Sequence, residues 1–310
     1  MLGWEHRFGF SEFGRCPIAP NLMPALSLVV CVYREGELLA RLLRHAAGCY
    51  DDLVVVHDGP DTTQVRAVAE AAGGRFFEHP REGSLEGQSA AAWGRAAHDW
   101  ILRLDADEFP SEEMKAWLKA FRVSGAPAEQ VSGYTCVWPM WDGRREVSRK
   151  ISAGRIFLFD RRRVRFFGLV EQVPIPDGGY EARDFILHHQ PRRKSYGLHN
   201  VLVRKQAYHW RAIIAWSLLG KPTDLNCWRW TDEAWPKEWE EIRRRPWRTA
   251  FARLTLGTFR GLRDQWRRER KLFPLAAVSN PVHHMLICLK HWQLRREQQK
   301  NGNKNSKPAA

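Results

Sequence analysis

The feature that most constrains the fold is a regular alternation of apolar strand signals and helical patterns after Pro24. The strand signals are LSLVVCVY, DDLVVVHDG, GRFFEH and WILRL, and the helical patterns between them are GELLARLLRHAAG, DTTQVRAVAEAAGG and SLEGQSAAAWGRAAHD. Strands separated by helices of ~10 to 15 residues favour right-handed βαβ crossovers. The alternation therefore predicts an α/β fold with a mostly parallel, Rossmann-like sheet in the N-terminal half.

The charge of the chain divides it into two regions. The 310 residues are 44% hydrophobic, enough for a large core, and carry a formal charge of +14. Residues 1–191 hold 23 Lys and Arg against 26 Asp and Glu, whereas residues 192–310 hold 26 against 9. We predict an N-terminal extension over 1–24, an α/β catalytic domain over 25–191, a helical, basic and Trp-rich extension over 192–300 and a disordered tail over 301–310.

Cysteine spacing and hydropathy favour a cytoplasmic protein. The six cysteines form no C-x-x-C pair, and the opening MLGWEHRFGF lacks the apolar segment of a secretory signal. The most apolar window, LFPLAAVSNPVHHMLICL, is interrupted by Pro281 and two histidines. It falls short of the ~18 uninterrupted apolar residues of a spanning helix, so we expect this segment at most to lie on a membrane.

Three loops follow strands of the predicted sheet, and they are the candidate binding loops. They are Tyr33 to Gly36, His57 to Asp61 and Asp105 to Glu108. In a parallel α/β sheet, ligands bind beyond the carboxyl ends of the strands, where such loops converge. Two of the three loops are rich in acid, which predicts a bound cation at this edge.

The D-x-D tripeptide Asp105-Ala106-Asp107 is the sharpest candidate. In an extended segment, residues two apart point to one side, so both carboxylates would face one ligand. Hard cations such as Mg²⁺ bind through one or two carboxylates together with substrate phosphates. The alternative is that these acids only solvate a loop ahead of a helix that begins after Ser111, where further acidic residues suit the helix dipole.

Four motifs occur in an order that matches a known family. They are LSLVVCVYREGELLARLL, VVVHDGPDTT, AAAWGRAAHDWILRLDADEFPSEEM and AGRIFLFDRRRVRFFGLVEQV. From about residue 26 to about residue 190 the chain resembles the family 2 glycosyltransferases with the GT-A fold, particularly the bacterial enzymes that build cell-envelope saccharides such as lipopolysaccharide. The resemblance implies sugar transfer from a nucleotide-sugar donor, with a UDP-sugar expected, to a saccharide or lipid-linked acceptor.

The resemblance also implies roles for single residues. Tyr33, Glu35, His57 and Asp58 would contribute to the nucleotide-sugar pocket, with Asp58 on the nucleoside. Asp105 would contact the donor and, with Asp107, hold Mg²⁺ or Mn²⁺ on the diphosphate. The family commonly has Asn at position 34 and Asp at position 57, whereas this chain has Arg34 and His57, so the nucleobase stays open.

The same resemblance places a catalytic base and a third metal ligand. Inverting transfer needs a carboxylate to accept the proton of the acceptor hydroxyl, and Glu171 is the predicted base, with Glu108 as the reserve candidate. A strand-end glutamate that only meets solvent is the alternative for Glu171. His188 is the predicted metal ligand of the pair at 188 and 189, because only one of two neighbours on a strand faces inward. The run Arg161 to Arg163 is either a solvated turn or a contact for an anionic substrate.

The C-terminal third suggests a partner surface. Residues from 192 onward hold nine of the fifteen tryptophans, mixed with arginines. This composition suits an anionic membrane surface, although nucleic acid binding and simple packing on the catalytic domain are alternatives. We predict a metal-dependent glycosyltransferase peripheral at the inner face of the membrane, without nucleic acid. A nucleotidyltransferase acting on sugar phosphates and a non-enzymatic RNA-binding protein are the competing classes.

Overall fold

The computed structural model describes residues 23–81, 85–123, 130–148, 154–166, 168, 173–192, 202, 228–229, 242 and 244–305. The N-terminal half forms the alternating units expected from the sequence. They are β1 (Leu26–Val32), α1 (Gly36–His45), β2 (Asp52–Asp58), α2 (Val65–Ala71), β3 (Arg75–His79), α3 (Leu85–Arg95) and β4 (Trp100–Arg103). The predicted βαβ series is confirmed.

The remaining elements include more strands than the alternation predicts. They are β5 (Glu108–Pro110), α4 (Glu112–Phe121), β6 (Val131–Val137), β7 (Met140–Trp141), β8 (Glu146–Ser148), β9 (Gly154–Asp160), β10 (Val164–Arg165), β11 (Ile175–Pro176), β12 (Gly179–His189), α5 (Pro246–Glu269) and α6 (Pro274–Asn305). A 3₁₀ turn at Arg161–Arg163 follows β9.

Eight strands build the central sheet in the order β3-β2-β1-β4-β9-β6-β12-β5. Strands β3, β2, β1 and β4 are parallel neighbours, as are β6 and β12, while β9 lies antiparallel between β4 and β6. The β5 strand pairs antiparallel with β12. The fold is therefore mixed α/β with a large, mostly parallel sheet and a helical C-terminal region, as predicted.

Strand β1 forms the middle of the core because all seven of its residues are buried. Parallel strands covered on both faces need such continuous apolar runs. On one face, Leu39 and Leu42 of α1 and Met114 of α4 pack against it. On the other face, Trp93 of α3 packs edge-on against Phe159, with 4.9 Å between the ring centroids. Full burial of each such side chain contributes about 1.5 to 3 kcal/mol, so this core holds the strand ends in place.

The helix after the D-x-D begins where the sequence predicts. Ser111 is the N-cap of α4, and its side chain accepts a hydrogen bond from the Met114 N–H at 3.3 Å. Glu112 and Glu113 lie in the first turn, where their negative charges interact favourably with the positive end of the helix dipole. This cap fixes the exit of the acidic loop from the sheet.

The C-terminal helices α5 and α6 pack closely against each other. A Cβ atom added at Gly257 would lie 3.3 Å from Pro281 Cγ, and one at Gly261 would lie 3.3 Å from the Ala277 carbonyl oxygen. Helix α6 continues to Asn305, into the segment predicted as a disordered tail, because helix propagation costs little once a helix has formed. Within the described part of the chain, no helix is long and apolar enough to span a bilayer.

One short piece of the Trp-rich extension contacts the α/β domain. Trp228 forms a β-bridge with Phe166, and its indole N–H donates to the Arg161 carbonyl oxygen at 2.7 Å. Its ring lies 6.1 Å from that of Trp93. Trp228 therefore packs on the α/β domain.

Candidate active site

The acidic loop lies at the carboxyl end of β4 and is a tight turn. The Glu108 N–H donates to the Asp105 carbonyl oxygen at 3.0 Å, and the Asp105 N–H donates to Glu108 Oε2 at 2.8 Å. Ala106 is buried beneath the turn. The expectation of an extended segment was therefore wrong, because these bonds close the chain over four residues. The two aspartates consequently face different neighbours.

Arg155, which the sequence analysis did not single out, holds two of the acids. Its guanidinium donates to Asp105 Oδ2 at 2.7 Å and to Glu108 Oε2 at 3.1 Å, and its Nε lies 2.9 Å from Glu108 Oε1. Arg155 comes from β9, the antiparallel neighbour of β4. Glu108 is fully buried, so this forked contact supplies the positive charge that its carboxylate needs.

The pKa values of the two acids in this cluster shift in opposite directions. Burial raises the pKa of Glu108, and although Arg155 opposes this shift, the nearby Asp105 adds to it, so the net pKa is raised. Burial also raises the pKa of Asp105, but Arg155, Arg103 and His189 outweigh it and hold that pKa below its usual value. Burial lowers the pKa of Arg155, and the two acids overcome this and raise it. Asp105 is therefore ionised and neutralised by Arg155.

Asp107 lies on a separate side of the cluster, next to His189. Its Oδ2 is 3.6 Å from His189 Nε2, and its carbonyl oxygen accepts from the Gln190 N–H at 2.8 Å. The imidazole of His189 stacks on Trp138, with 4.2 Å between centroids and 22° between planes. Trp138 also lies beneath Arg155, whose guanidinium carbon is 5.7 Å from the ring centroid. This tryptophan therefore connects the two halves of the acidic site.

His188 faces a different acid. Its Nδ1 lies 2.5 Å from Glu146 Oε1, on strand β8. Neighbouring residues on β12 point to opposite sides, so His188 and His189 cannot both face Asp107. The geometry favours His189 over His188, the residue predicted from the sequence, as a partner of Asp107.

The donor atoms beside Asp107 fit a divalent cation in part. Two ligand atoms that each lie about 2.1 Å from one ion can be at most about 4.2 Å apart, and Asp107 Oδ2 and His189 Nε2 satisfy this at 3.6 Å. Carboxylate oxygen and imidazole nitrogen are suitable ligands for Mn²⁺. Asp105 is engaged by Arg155, and among the described residues no three His, Cys, Asp or Glu side chains are grouped to hold an ion. In the part of the chain that the structure describes, this position therefore offers two candidate ligand atoms.

A second cluster lies at the carboxyl ends of β1 and β2. The Arg81 guanidinium donates to the Tyr33 hydroxyl and lies 4.3 Å from the centroid of its ring, while that of Arg34 lies 5.0 Å from the same centroid. Arg34 has a positive φ of 57°, the left-handed region that suits a tight loop. Two guanidinium groups and an aromatic ring thus converge at the end of β1. This combination can meet phosphate and stack on a base.

His57 is a buried residue that shapes this pocket. Its Nδ1 bonds the Gly59 carbonyl oxygen at 2.8 Å, and its Nε2 lies 3.4 Å from the Arg34 N–H. Because a carbonyl oxygen only accepts, Nδ1 carries the proton and Nε2 accepts. Both nitrogens are used within the loops, so His57 positions backbone. Asp58 is nearly buried, and Glu35 precedes α1.

The other predicted site residues have different outcomes. Glu171 lies outside the described residues. Arg161 donates to the carbonyl oxygens of Trp93 and Ala96 at 2.5 and 3.0 Å, at the end of α3, and pairs with Asp99 at 3.0 Å. The arginine run therefore stabilises the domain here, a role that neither sequence alternative included.

Most of the α/β region matches the model of a known protein family. Residues 27–170 match the model of glycosyl transferase family 2, a span that includes all three strand-end loops and Arg155. This region is therefore similar to glycosyl transferase family 2 over somewhat less than half of the chain. The resemblance inferred from the sequence motifs is confirmed, and the match ends one position before Glu171.

Individual relatives share shorter segments. Over 93 residues the chain is 31% identical to an uncharacterized glycosyltransferase of Rickettsia felis, covering 30% of this chain and 32% of the relative. Over 95 residues it is 30% identical to one of Rickettsia conorii, covering 31% and 33%. The chain thus spans about a third of the length of these curated relatives.

Solved structures of glycosyltransferases resemble the chain at low identity. Glucosyl-3-phosphoglycerate synthase from Mycobacterium tuberculosis in complex with phosphoglyceric acid has a TM-score of 0.39 at 15% identity, covering 64% of this chain and 81% of that one. S. aureus TarS 1–349 in complex with UDP has a TM-score of 0.37 at 12% identity, covering 87% and 91%. These likenesses at low identity add nothing to the family match.

Proposed function

We propose that the protein is a metal-dependent, inverting glycosyltransferase that moves a sugar from a nucleotide-sugar donor, with a UDP-sugar expected, to a saccharide or lipid-linked acceptor. The observation that carries this proposal is the placement of Asp107 and His189 beside an Arg155-neutralised Asp105, at the strand ends of the region that matches glycosyl transferase family 2. Ligands bind at this edge of a parallel sheet.

The different contacts of Asp105 and Asp107 support a diphosphate site. Arg155 keeps Asp105 ionised and fixed, so Asp105 is available to a donor hydroxyl on its remaining oxygen. Asp107 and His189 would hold Mg²⁺ or Mn²⁺, which supplies neutralising charge for the departing nucleoside diphosphate. The arginines around Tyr33 add positive charge where the nucleotide would enter.

Inverting transfer needs a carboxylate that can reach the acceptor hydroxyl and accept its proton. Glu108 is fully buried and bonded to Arg155, so we do not propose the reserve candidate. Glu171 remains the proposed base, because the motif AGRIFLFDRRRVRFFGLVEQV resembles the strand pair that carries an acceptor-side acid in the related enzymes. The acceptor belongs to cell-envelope synthesis, and the protein works at the cytoplasmic face of the membrane.

A donor panel tests this function directly. The full-length protein is incubated with UDP-, GDP-, ADP- and CMP-linked sugars with Mn²⁺ or with a chelator, and thermal shift and released nucleotide are measured. We expect one sugar nucleotide to stabilise the protein and to release a nucleoside diphosphate or monophosphate only with the metal. Release of pyrophosphate from a nucleoside triphosphate and a sugar phosphate would instead establish a nucleotidyltransferase. The absence of any nucleotide effect would contradict the proposal.

A further inference from the structure

Helix α5 carries an exposed apolar row on the side that does not pack on α6. Phe251, Phe259 and Trp266 expose 70%, 67% and 51% of their surface. Their spacing of eight and seven residues places them on one face, about 23 Å long at 1.5 Å per residue. The side of α5 that contacts α6 is covered, with Ala250 buried beside Cys288. An aromatic row of this length in water is unfavourable unless another surface covers it.

A row of arginines borders the aromatic row. Arg260, Arg263 and Arg267 are exposed, and their spacing of three and four residues aligns them along the helix. Asp264 pairs with Arg263 at 3.1 Å, and it is the only acid of α5 whose side chain the structure describes. The exposed side of α5 therefore combines apolar contact area with net positive charge.

The apolar surface continues around the connection to α6. Leu256 exposes 54% of its surface, and Leu272 and Leu275 at the turn between the helices expose 50% and 57%. Aliphatic side chains gain free energy at the boundary of headgroups and acyl chains, whereas they offer a nucleic acid neither stacking nor hydrogen bonds. The exposed leucines of this surface therefore favour a lipid surface over a nucleic acid as the anionic partner.

We propose that this face of α5, the aromatic row with its bordering arginines, docks the protein parallel to an anionic lipid surface. The arginines would meet lipid phosphates while the phenylalanines and Trp266 enter the headgroup boundary. The close contact of α5 with α6 at Gly257 and Gly261 makes the hairpin a firm support for this face. The inference specifies the membrane contact of the proposed function, but docking needs no sugar transfer and is tested separately.

Sedimentation with lipid vesicles tests the docking surface. The full-length protein is mixed with vesicles of phosphatidylcholine alone or with phosphatidylglycerol, at low and high salt. We expect binding to the anionic vesicles and partial release by salt. Arg260→Gln with Arg267→Gln should weaken that binding roughly 30-fold, since one arginine near an anionic leaflet contributes roughly fivefold. The triple change of Phe251, Phe259 and Trp266 to alanine should weaken it at least about tenfold.

A matched pair of substitutions separates local docking from total charge. Arg66→Gln with Arg95→Gln removes the same charge from exposed positions of α2 and α3, and it should leave vesicle binding within about twofold. An equal loss in this control would overturn the assignment to α5. Failure of the unmodified protein to bind anionic vesicles at low salt would overturn docking itself, and tight RNA binding in that case would establish the nucleic-acid alternative. Thermal shift by nucleotide reports on the donor site independently in every variant.

Discussion

Replacing Arg155 by methionine is the perturbation that most sharply tests the electrostatics of the acidic loop. Methionine keeps much of the volume but removes a guanidinium that lies 2.7 Å from Asp105 and 2.9 Å from Glu108. Breaking a buried ion pair by removing one partner costs about 3 to 5 kcal/mol, because the remaining charge is left uncompensated. We expect Arg155→Met to lower the free energy of unfolding by that amount, measured by urea denaturation.

The double variant with Glu108→Gln shows whether uncompensated charge is the cause. Glutamine removes the buried negative charge, so the second change should recover at least about 1 kcal/mol relative to Arg155→Met alone. Glu108→Gln in the unmodified background should instead destabilise the protein, because it breaks the forked contact. If the two changes were simply additive, or if Arg155→Met cost less than about 1 kcal/mol, the electrostatic argument would be refuted.

The same variant makes a signed prediction for pH. Without Arg155, burial and the charge of Asp105 raise the pKa of Glu108 further above its unfolded value, and the pKa of Asp105 rises from its lowered value although Arg103 and His189 still oppose burial there. The folded state then binds more protons than the unfolded state, so stability falls as pH rises through these pKa values. The loss in free energy of unfolding caused by Arg155→Met should therefore be larger near about pH 8 than near about pH 5. A deficit that grows on acidification would contradict the assignment.

Three further predictions address the metal ligand, the base and the helical hairpin. His189→Ala should weaken Mn²⁺ binding, measured by calorimetry, at least about tenfold, and His188→Ala less, because only His189 lies beside Asp107; equal losses would contradict this choice. Glu171→Gln should lower transfer by a factor on the order of 10² to 10⁴ with donor affinity kept, whereas lost affinity with intact turnover would make Glu171 a binding residue. Gly261→Leu should destabilise the α5–α6 hairpin by about 1 to 3 kcal/mol in thermal unfolding, because the leucine side chain would meet the Ala277 backbone. Thr255→Leu, at an exposed position of the same helix, should not destabilise it.

The βαβ half of the fold could be predicted because its signals are local. Strands β1, β2 and β4 are mainly apolar runs, β3 is a shorter strand around two phenylalanines, and each intervening helix closes near small residues. The other half of the sheet depends on pairings between distant segments. Strand β9 inserts between β4 and β6 although it follows both in the chain, and no periodicity within GRIFLFD specifies those neighbours.

The candidate site shows the same division. Asp107 could be proposed as a ligand because it lies in the acidic loop that follows the buried strand β4. Arg155 could not, because an arginine at the start of an apolar strand is ordinary in sequence, and its role arises only when β9 pairs with β4. The choice between His188 and His189 likewise depends on the register of β12 with β5, which aligns His189 with Glu108. Pairing and register, not composition, decide which side chains meet.

Metal-dependent nucleotide binding at Asp107 is the most direct test of the central claim. Titration calorimetry would measure the affinity of the full-length protein for UDP and other nucleoside diphosphates, with Mn²⁺ and with a chelator. Asp107→Asn keeps the shape of the side chain, and Asp264→Asn on α5 is a matched change far along the chain from the loop. We predict Mn²⁺-dependent binding of one nucleotide that falls more than about tenfold, or 1.4 kcal/mol, in Asp107→Asn and is unchanged in Asp264→Asn. Undiminished Mn²⁺-dependent binding in Asp107→Asn would contradict the account.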